Sequence, residues 1–377
     1  MHIVFWQPVS VIHNKYICAL AEVAGIEVTL IAQESSSEEQ KRIGIDVLEP
    51  SKVKVLIAPD RKVIQSIINY KPEESIHIFS GRGVYPLVEY AFRFCKNKSL
   101  RIGCISEVFD DKGLRGPMRL VRSKIDALIN ERYIDFMLLM GAPAIRWFRM
   151  AGWQTDKLYQ FGYIIDDKDM LEKNNSLGEE NYGDTVELIF LGQCIKRKGL
   201  DILLKALKPL LGLNWFLTII GEGREKASLL KLANDLGISE KIKFFQGLRH
   251  KDAMRLLAGS DLLVLPSRFD GWGAVVNEAL MLGVPVICSD KCGAADLLEE
   301  SWRGSAFKSE SVADLSRILE FWIKKGKKTK AETDRIRIWS ECISGKRAAE
   351  YILSVINSSG NCLERPKVPW VSHGEFR

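Results

Sequence analysis

The chain predicts an α/β protein built on two parallel sheets, and three features of the sequence carry that expectation. Short apolar runs alternate with amphipathic stretches through the first half, the pattern of strands covered on both faces by crossover helices. A polar, glycine-bearing stretch over residues 166–184 interrupts the pattern, and beyond it the alternation begins again. The length of 377 residues holds two domains with ample material for two cores. The expected division is a first domain over 1–165, a linker over 166–184, a second domain over 185–342, and a closing helix and tail over 343–377 that packs back on the first domain.

In the first half, strands are expected over residues 3–6, 28–32, 53–57, 76–79, 101–105 and 136–140, and helices over 12–24, 84–95, 117–128 and 143–151. The first loop, from Gln7 to Ser10, lacks glycine and so is no dinucleotide fingerprint. His13 and Asn14 remain as local polar candidates, although a histidine at such a helix start is more often a surface or capping residue. Arg82, flanked by Gly81 and Gly83, follows a strand and suits an acceptor-side loop or a plain strand-to-helix turn equally. Glu107 follows the next strand and reads as a reacting-centre acid or as a loop cap. The 117–128 helix carries Arg119, Arg122 and Lys124 on one side and Met118, Val121, Ile125 and Leu128 on the other. Packing of that apolar side on the sheet is preferred over contact with a membrane.

The second half opens with a strand over 186–191, followed by Gly192, Gln193, Arg197 and Lys198 before a helix over 200–211. A glycine and then cations at a helix start make a phosphate cradle. A strand over 216–220 ends in Gly221-Glu222-Gly223, and a short strand over 243–246 leads to Leu248 and Arg249. The centre of the chain is residues 263–295. An apolar strand ends at Pro266-Ser267, and Asp270-Gly271-Trp272-Gly273 then opens a helix beginning at Ala274 and carrying Glu278. Gly283 and Pro285 stop that helix and a second strand, 284–288, follows at once. In a unit of this kind ligands bind at the carboxyl ends of strands, and helix-start N–H groups receive anions. Eight helical rises between Asp270 and Glu278 would span roughly 12 Å, more than the roughly 5–9.5 Å of a glycosidase acid–base pair. The two carboxylates suit opposite ends of one elongated, hydroxyl-bearing ligand.

Hydrophobic content of 46% and charged content of 27% are those of a globular protein, and no apolar run reaches the length of a membrane span. No secretory signal is evident, so a cytoplasmic location is expected, with the inner face of the membrane within reach. The eight cysteines lack paired or zinc-like spacing and read as free thiols. A net charge of +6 suits an anionic partner. The basic run from Lys324 to Lys330 reads first as a solvated loop and second as a contact for acidic lipid. Asp167-Lys168-Asp169 is a DxD triplet of the kind that holds a divalent metal, but it stands in a charged linker with no second ligand cluster, and no metal is expected.

The acid-x7-acid spacing of Asp270 and Glu278 resembles that of family-four retaining glycosyltransferases, whose GT-B fold sets two Rossmann-like domains face to face across a cleft. The resemblance is motif-strong over residues 186–295 and architectural before them. It implies metal-independent transfer of a sugar from a nucleoside diphosphate, UDP- or GDP-linked, to a hydroxyl of a glycan or glycolipid, without a cofactor and without nucleic acid. It further implies that Asp270, standing where the family usually has glutamate, meets the sugar, and that Glu278 holds the ribose. Lys198 and the amides of Gly271, Trp272 and Gly273 would meet the diphosphate, beside Gly192, Gly221 and Ala274. Gln193 stands where the family has arginine, and Arg197 is positioned to compensate. Backbone near Leu248 and Arg249 would meet the base, and Glu107 would lie near the reacting centre, with His13 and Arg82 on the acceptor side. Two rivals share the scaffold: a sugar-nucleotide epimerase, and a catalytically silent sugar-nucleotide binding module.

Overall fold

The computed structural model describes residues 1–9, 15–35, 52–108, 115–164, 183–358 and 365–371. His13, Asn14 and the Asp167–Asp169 triplet lie outside them. The chain divides into two compact units, residues 1–166 with 342–377, and residues 167–341.

The first unit is a seven-stranded parallel sheet in the order β3-β2-β1-β4-β5-β6-β7. Its strands are β1 (His2–Val9), β2 (Glu27–Glu34), β3 (Val53–Ile57), β4 (Ser75–Ser80), β5 (Arg101–Ser106), β6 (Phe136–Met140) and β7 (Leu158–Phe161). Its helices are α1 (Lys15–Ala21), α2 (Arg61–Ile68), α3 (Pro86–Asn97), α4 (Arg115–Asn130), α5 (Gly141–Met150) and, from the far end of the chain, α12 (Gly345–Ser358). β1 is buried from His2 to Gln7, which is why it reads as an unbroken apolar run. α12 lies beside α1 and is pinned to the sheet at β7 and β5: Tyr351 Oη donates to the Gln160 carbonyl at 3.0 Å, and Arg101 donates to the Ile356 carbonyl at 2.8 Å. The sequence reading overlooked α2, whose N-cap Asp60 accepts from the Val63 amide at 2.9 Å, and β7, whose four residues are too few to show a period.

α4 turns the opposite way from expectation. It docks through its small residues, with Gly116, Ser123 and Ala127 buried and Leu120 half-buried, while Met118, Val121, Ile125 and Leu128 point into solvent. Polar pairs at its edge fix that rotation. Arg82 meets Asp126 at 2.5 Å, and Lys96 donates to Asn130 Oδ1 at 2.9 Å.

The second unit is a six-stranded parallel sheet in the order β10-β9-β8-β11-β12-β13. Its strands are β8 (Val186–Leu191), β9 (Trp215–Ile220), β10 (Ile242–Phe245), β11 (Leu262–Leu265), β12 (Val286–Ser289) and β13 (Gly304–Phe307). Its helices are α6 (Leu200–Leu207), α7 (Lys226–Asp235), α8 (His250–Gly259), α9 (Ala274–Met281), α10 (Val312–Lys325) and α11 (Lys330–Ser340). α6 stops short of the expected 211 because Pro209 lies in the 3₁₀ turn that follows it. Leu200, Leu203, Leu204 and Leu207 bury one face of α6 in the core formed by β8, β9 and α10.

The basic run spans the turn between α10 and α11, and Lys324, Lys325, Lys327 and Lys328 are engaged within the unit. Lys324 pairs with Glu320, Lys325 with Glu332 and Lys327 with Glu187. Lys328 donates to the carbonyls of Ala258 and Ser260, and burial pulls its ammonium down to about 8. Thr329 and Glu332 then form a capping box that starts α11.

Candidate functional site

In the second sheet β8 sits centrally, with β9 on one side and β11 on the other, so the strand order reverses between β8 and β11. The loops leaving the carboxyl ends of two such strands part to opposite faces and open a crevice. The β8 loop carries Gly192 to Gly199, and the β11 loop carries Pro266 to Gly273.

The two loops meet because Gly199 allows it. Gly199 has φ +68°, and a Cβ built there would stand 2.0 Å from the Pro266 carbonyl oxygen. No other residue type fits that approach. The Arg268 amide donates to the Arg197 carbonyl at 2.8 Å and ties the loops together. Lys198 Nζ then lies 2.5 Å from Asp270 Oδ2, with Arg197 3.6 Å from Asp270 Oδ1. Ser267 Oγ donates to the same carboxylate at 3.3 Å. Asp270 is buried, so most of its charge is met by these cations rather than by water.

Asp270 also bridges to Cys292 in a parallel β-contact, which places residues 270–273 in extended and turn conformations before α9 begins. Gly273 is the N-cap at φ +93°, with Cys292 Sγ packed where a Cβ would stand. No side chain caps this end, and a helix start leaves its first N–H groups without intrahelical partners. The Trp272 ring is buried, its Nε1 donating to Asn277 Oδ1 at 2.7 Å, so the tryptophan anchors the turn from beneath. One turn into α9, Glu278 is buried and stands 3.2 Å from His250 Nε2.

Gly192 lies against the Lys198 side chain, its position set by its amide's bond to the Ile220 carbonyl at 3.0 Å. Gly221 stands directly beside Gly192, since a Cβ on it would meet the Gly192 carbonyl oxygen at 1.9 Å. Gln193 lies in the same loop and Ala274 opens α9. The Arg249 side chain turns outward onto Asp252 at 3.3 Å, and Leu248 precedes it in the loop.

Two contributors escaped the sequence reading. His250 meets Glu278 across 28 residues of chain. Arg268 is a two-pronged clamp: its guanidinium donates to both Asp201 oxygens at 2.7 and 2.8 Å and to the Lys196 carbonyl at 2.8 Å, and it pairs with Glu310 at 3.2 Å. The glycine-rich spacing on either side pointed to the loops; nothing in the sequence pointed to the clamp.

The first unit has its own reversal point, between β1 and β4. A cavity of about 1040 Å³ lies there, lined among others by Gln7, Arg82, Glu107, Arg122, Asp126 and Tyr163. Arg82 serves as a post in its wall: it pairs with Asp126 at 2.5 Å and lies over the Phe92 ring at 4.0 Å. Glu107 is exposed and accepts from the Tyr163 hydroxyl. Glu107 and Arg82 thus share one cavity, while the other described candidates gather in the second unit.

Among the described residues, no group of three or more His, Cys, Asp or Glu side chains is placed to hold a metal ion, and no helix is long and apolar enough to cross a membrane. The seven described cysteines are unbridged, and all but Cys18 are buried.

Comparison with known proteins places residues 173–337 in the family of glycosyl transferases group 1. An uncharacterized 41.2 kDa protein in the cps region of Klebsiella pneumoniae is 22% identical over 279 residues, 70% of this chain and 74% of that protein. The lipopolysaccharide core biosynthesis glycosyltransferase LpsE of Rhizobium meliloti is 28% identical over 137 residues, 36% of this chain and 39% of LpsE. An uncharacterized glycosyltransferase of Haemophilus influenzae is matched over 50% of its length. Among solved structures, Anabaena HepE in complex with UDP superposes with a TM-score of 0.70 at 14% identity, covering 95% of this chain and all of that one. WaaG, a glycosyltransferase involved in lipopolysaccharide biosynthesis, gives 0.60 at 16% identity, again over 95% of this chain. The fold is the GT-B fold of these solved structures.

Proposed function

We propose, from the premise that residues 173–337 belong to the glycosyl transferases group 1 family, that this glycosyltransferase moves a sugar from a nucleoside diphosphate to a hydroxyl of a glycan or glycolipid, retaining the anomeric configuration. The single observation that carries the reading is the meeting of Lys198 and Asp270 at 2.5 Å where the β8 and β11 loops converge on the start of α9. Cations and helix-start amides there face the position a diphosphate would take, and a carboxylate beside them faces its sugar.

In the transition state the bond from the anomeric carbon to the diphosphate oxygen breaks and negative charge grows on the leaving group. Lys198, Arg197 and the first amides of α9 stabilise that charge, an arrangement fixed before the reaction and so most effective at lowering the barrier. Asp270 accepts from sugar hydroxyls, and Glu278, oriented by His250, accepts from the ribose. Backbone near Leu248 receives the base. The acceptor oxygen bonds to the anomeric carbon while its proton passes to a diphosphate oxygen, so neither a metal nor a protein nucleophile is invoked. The UDP in the HepE structure supports uridine as the first base to test, with guanosine second. A place on the cytoplasmic side, within reach of the membrane's inner face, follows from a soluble donor and a glycolipid acceptor.

The test is a panel of UDP- and GDP-sugars followed by thermal shift and by release of free nucleoside diphosphate, with the product's anomeric configuration read by NMR. Stabilisation by one donor class and its loss in Lys198→Ala support the reading. Absence of any response to sugar nucleotides overturns it. An altered free sugar nucleotide without acceptor would instead assign an epimerase.

A further inference from the structure

The α4 helix exposes what an amphipathic helix ordinarily hides. Met118, Val121, Ile125, Leu128 and Ile129 recur at helical spacing along one face, and they are between 51% and 86% exposed. Isolated exposed apolar residues are ordinary, whereas five on one face of a four-turn helix mark a contact surface. The helix has no freedom to turn them inward. Its opposite face is spent on Ser123, Ala127 and the half-buried Leu120, and its edge is locked by the pairs from Arg82 to Asp126 and from Lys96 to Asn130.

The charges beside the stripe choose the partner. Arg122 and Lys124 are exposed on its two flanks, and Arg119 lies one turn before Arg122. The helix holds one carboxylate, Asp126, and it is taken by Arg82. An apolar face bordered by cations, on a helix whose one carboxylate is already paired, fits an anionic lipid surface, into which the apolar side chains sink while the basic groups reach the phosphates. Two copies meeting through this face would bring their cations together, which argues against self-association.

We infer that the exposed face of α4 docks on an anionic bilayer, and, resting on the glycosyltransferase reading above, that the acceptor is lipid-linked. The other edge of the same helix carries the second argument: Arg119, Arg122, Ser123, Asp126 and Asn130 line the cavity of about 1040 Å³. Arg122 also reaches the Gly83 carbonyl at 3.2 Å, which sets exposed Val84 at the cavity's rim. Docking through α4 therefore brings the cavity mouth to the headgroup layer, where the head of a lipid-linked acceptor enters while its chain remains in the bilayer.

The experiment is flotation of the full chain with phosphatidylcholine vesicles and with phosphatidylcholine–phosphatidylglycerol vesicles, at low and high salt. The chain floats with the anionic vesicles, and added salt weakens this. The combined variant Val121→Ser, Ile125→Ser, Leu128→Ser loses affinity on the order of 100-fold, while its donor hydrolysis and circular dichroism match the parent. All three positions are more than half exposed, so the variant leaves the buried core unchanged. Equal flotation of parent and variant, flotation independent of phosphatidylglycerol, or a dimer that the variant dissociates would each overturn the proposal. Flotation is read without turnover, so a chain that binds vesicles but releases no nucleoside diphosphate would sink the function and leave the membrane surface standing.

Discussion

Lys198 Nζ and Asp270 Oδ2 stand 2.5 Å apart, so the ammonium proposed to meet a diphosphate is already held by the carboxylate proposed to meet the sugar. A donor must draw Lys198 partly away from Asp270 before its phosphates are fully bound.

That competition has a measurable sign. Asp270→Asn removes the competing charge and the repulsion of an incoming anion, so UDP binding tightens by about three- to tenfold in calorimetry, while sugar transfer falls by about 10² or more. Lys198→Ala acts the other way, weakening UDP by about 10- to 100-fold through loss of a charge-assisted bond. If both substitutions weaken UDP alike, the pair acts as a structural unit and the division of roles is wrong.

Glu278 lies one helical turn beyond the amides proposed to face the diphosphate, with His250 at 3.2 Å. Its proposed partner is the ribose, which free pyrophosphate lacks. Glu278→Ala should therefore raise the dissociation constant of UDP by about tenfold or more and leave that of pyrophosphate within about twofold. Loss of pyrophosphate binding to the same degree would move Glu278 from ribose contact to loop support.

The Arg268 side chain bonds to none of the residues expected to meet the donor, yet it joins Asp201, Lys196 and Glu310 to the loop that carries Asp270. Replacing it with alanine leaves a half-buried Asp201 without its fork and costs about 1–3 kcal/mol, seen as a fall of several degrees in melting temperature. Arg268→Lys keeps the charge but not the planar fork, so it recovers part of the stability without restoring loop order. A matching fall in kcat with little change in KM would identify Arg268 as a residue that positions Asp270.

The parts of this site that were legible in the sequence are those built by a strand, the loop leaving it and the next helix start. Gly192 to Lys198 and Asp270 to Glu278 each fall within one such unit, where glycine positions and apolar runs are local signals. What the sequence could not display are contacts between units of the pattern. The Arg268 fork spans 67 residues to Asp201, and the His250 contact spans 28 to Glu278. α4 misled for a related reason. Its five large apolar residues outweigh Ser123 and Ala127 in any periodicity, but which face turns inward was decided by partners elsewhere in the chain, Arg82 and Lys96. The Lys324–Lys330 run likewise reads as free charge until Glu187, Glu320 and Glu332 are placed beside it.

The first sheet holds two buried histidines that should make the chain acid-sensitive. His77 is buried on β4; its Nδ1 accepts from Trp6 Nε1 at 3.2 Å, and burial pushes its pKa down to about 3. His2, bonded to Thr29 and Ser75, is also held below the usual histidine value by burial. A histidine whose folded pKa is depressed takes up its proton more readily in the unfolded chain. Its contribution to stability is complete above about pH 6.5 and is lost as pH falls from there towards 3, by at most about 1.4 kcal/mol per pH unit for one group. The urea midpoint should therefore fall steadily between pH 6.5 and 4.5. His77→Gln keeps an acceptor for the Trp6 N–H and cannot be protonated, so it flattens that slope while lowering stability only modestly at neutral pH. An unchanged slope in the variant would assign the acid sensitivity to groups other than His77.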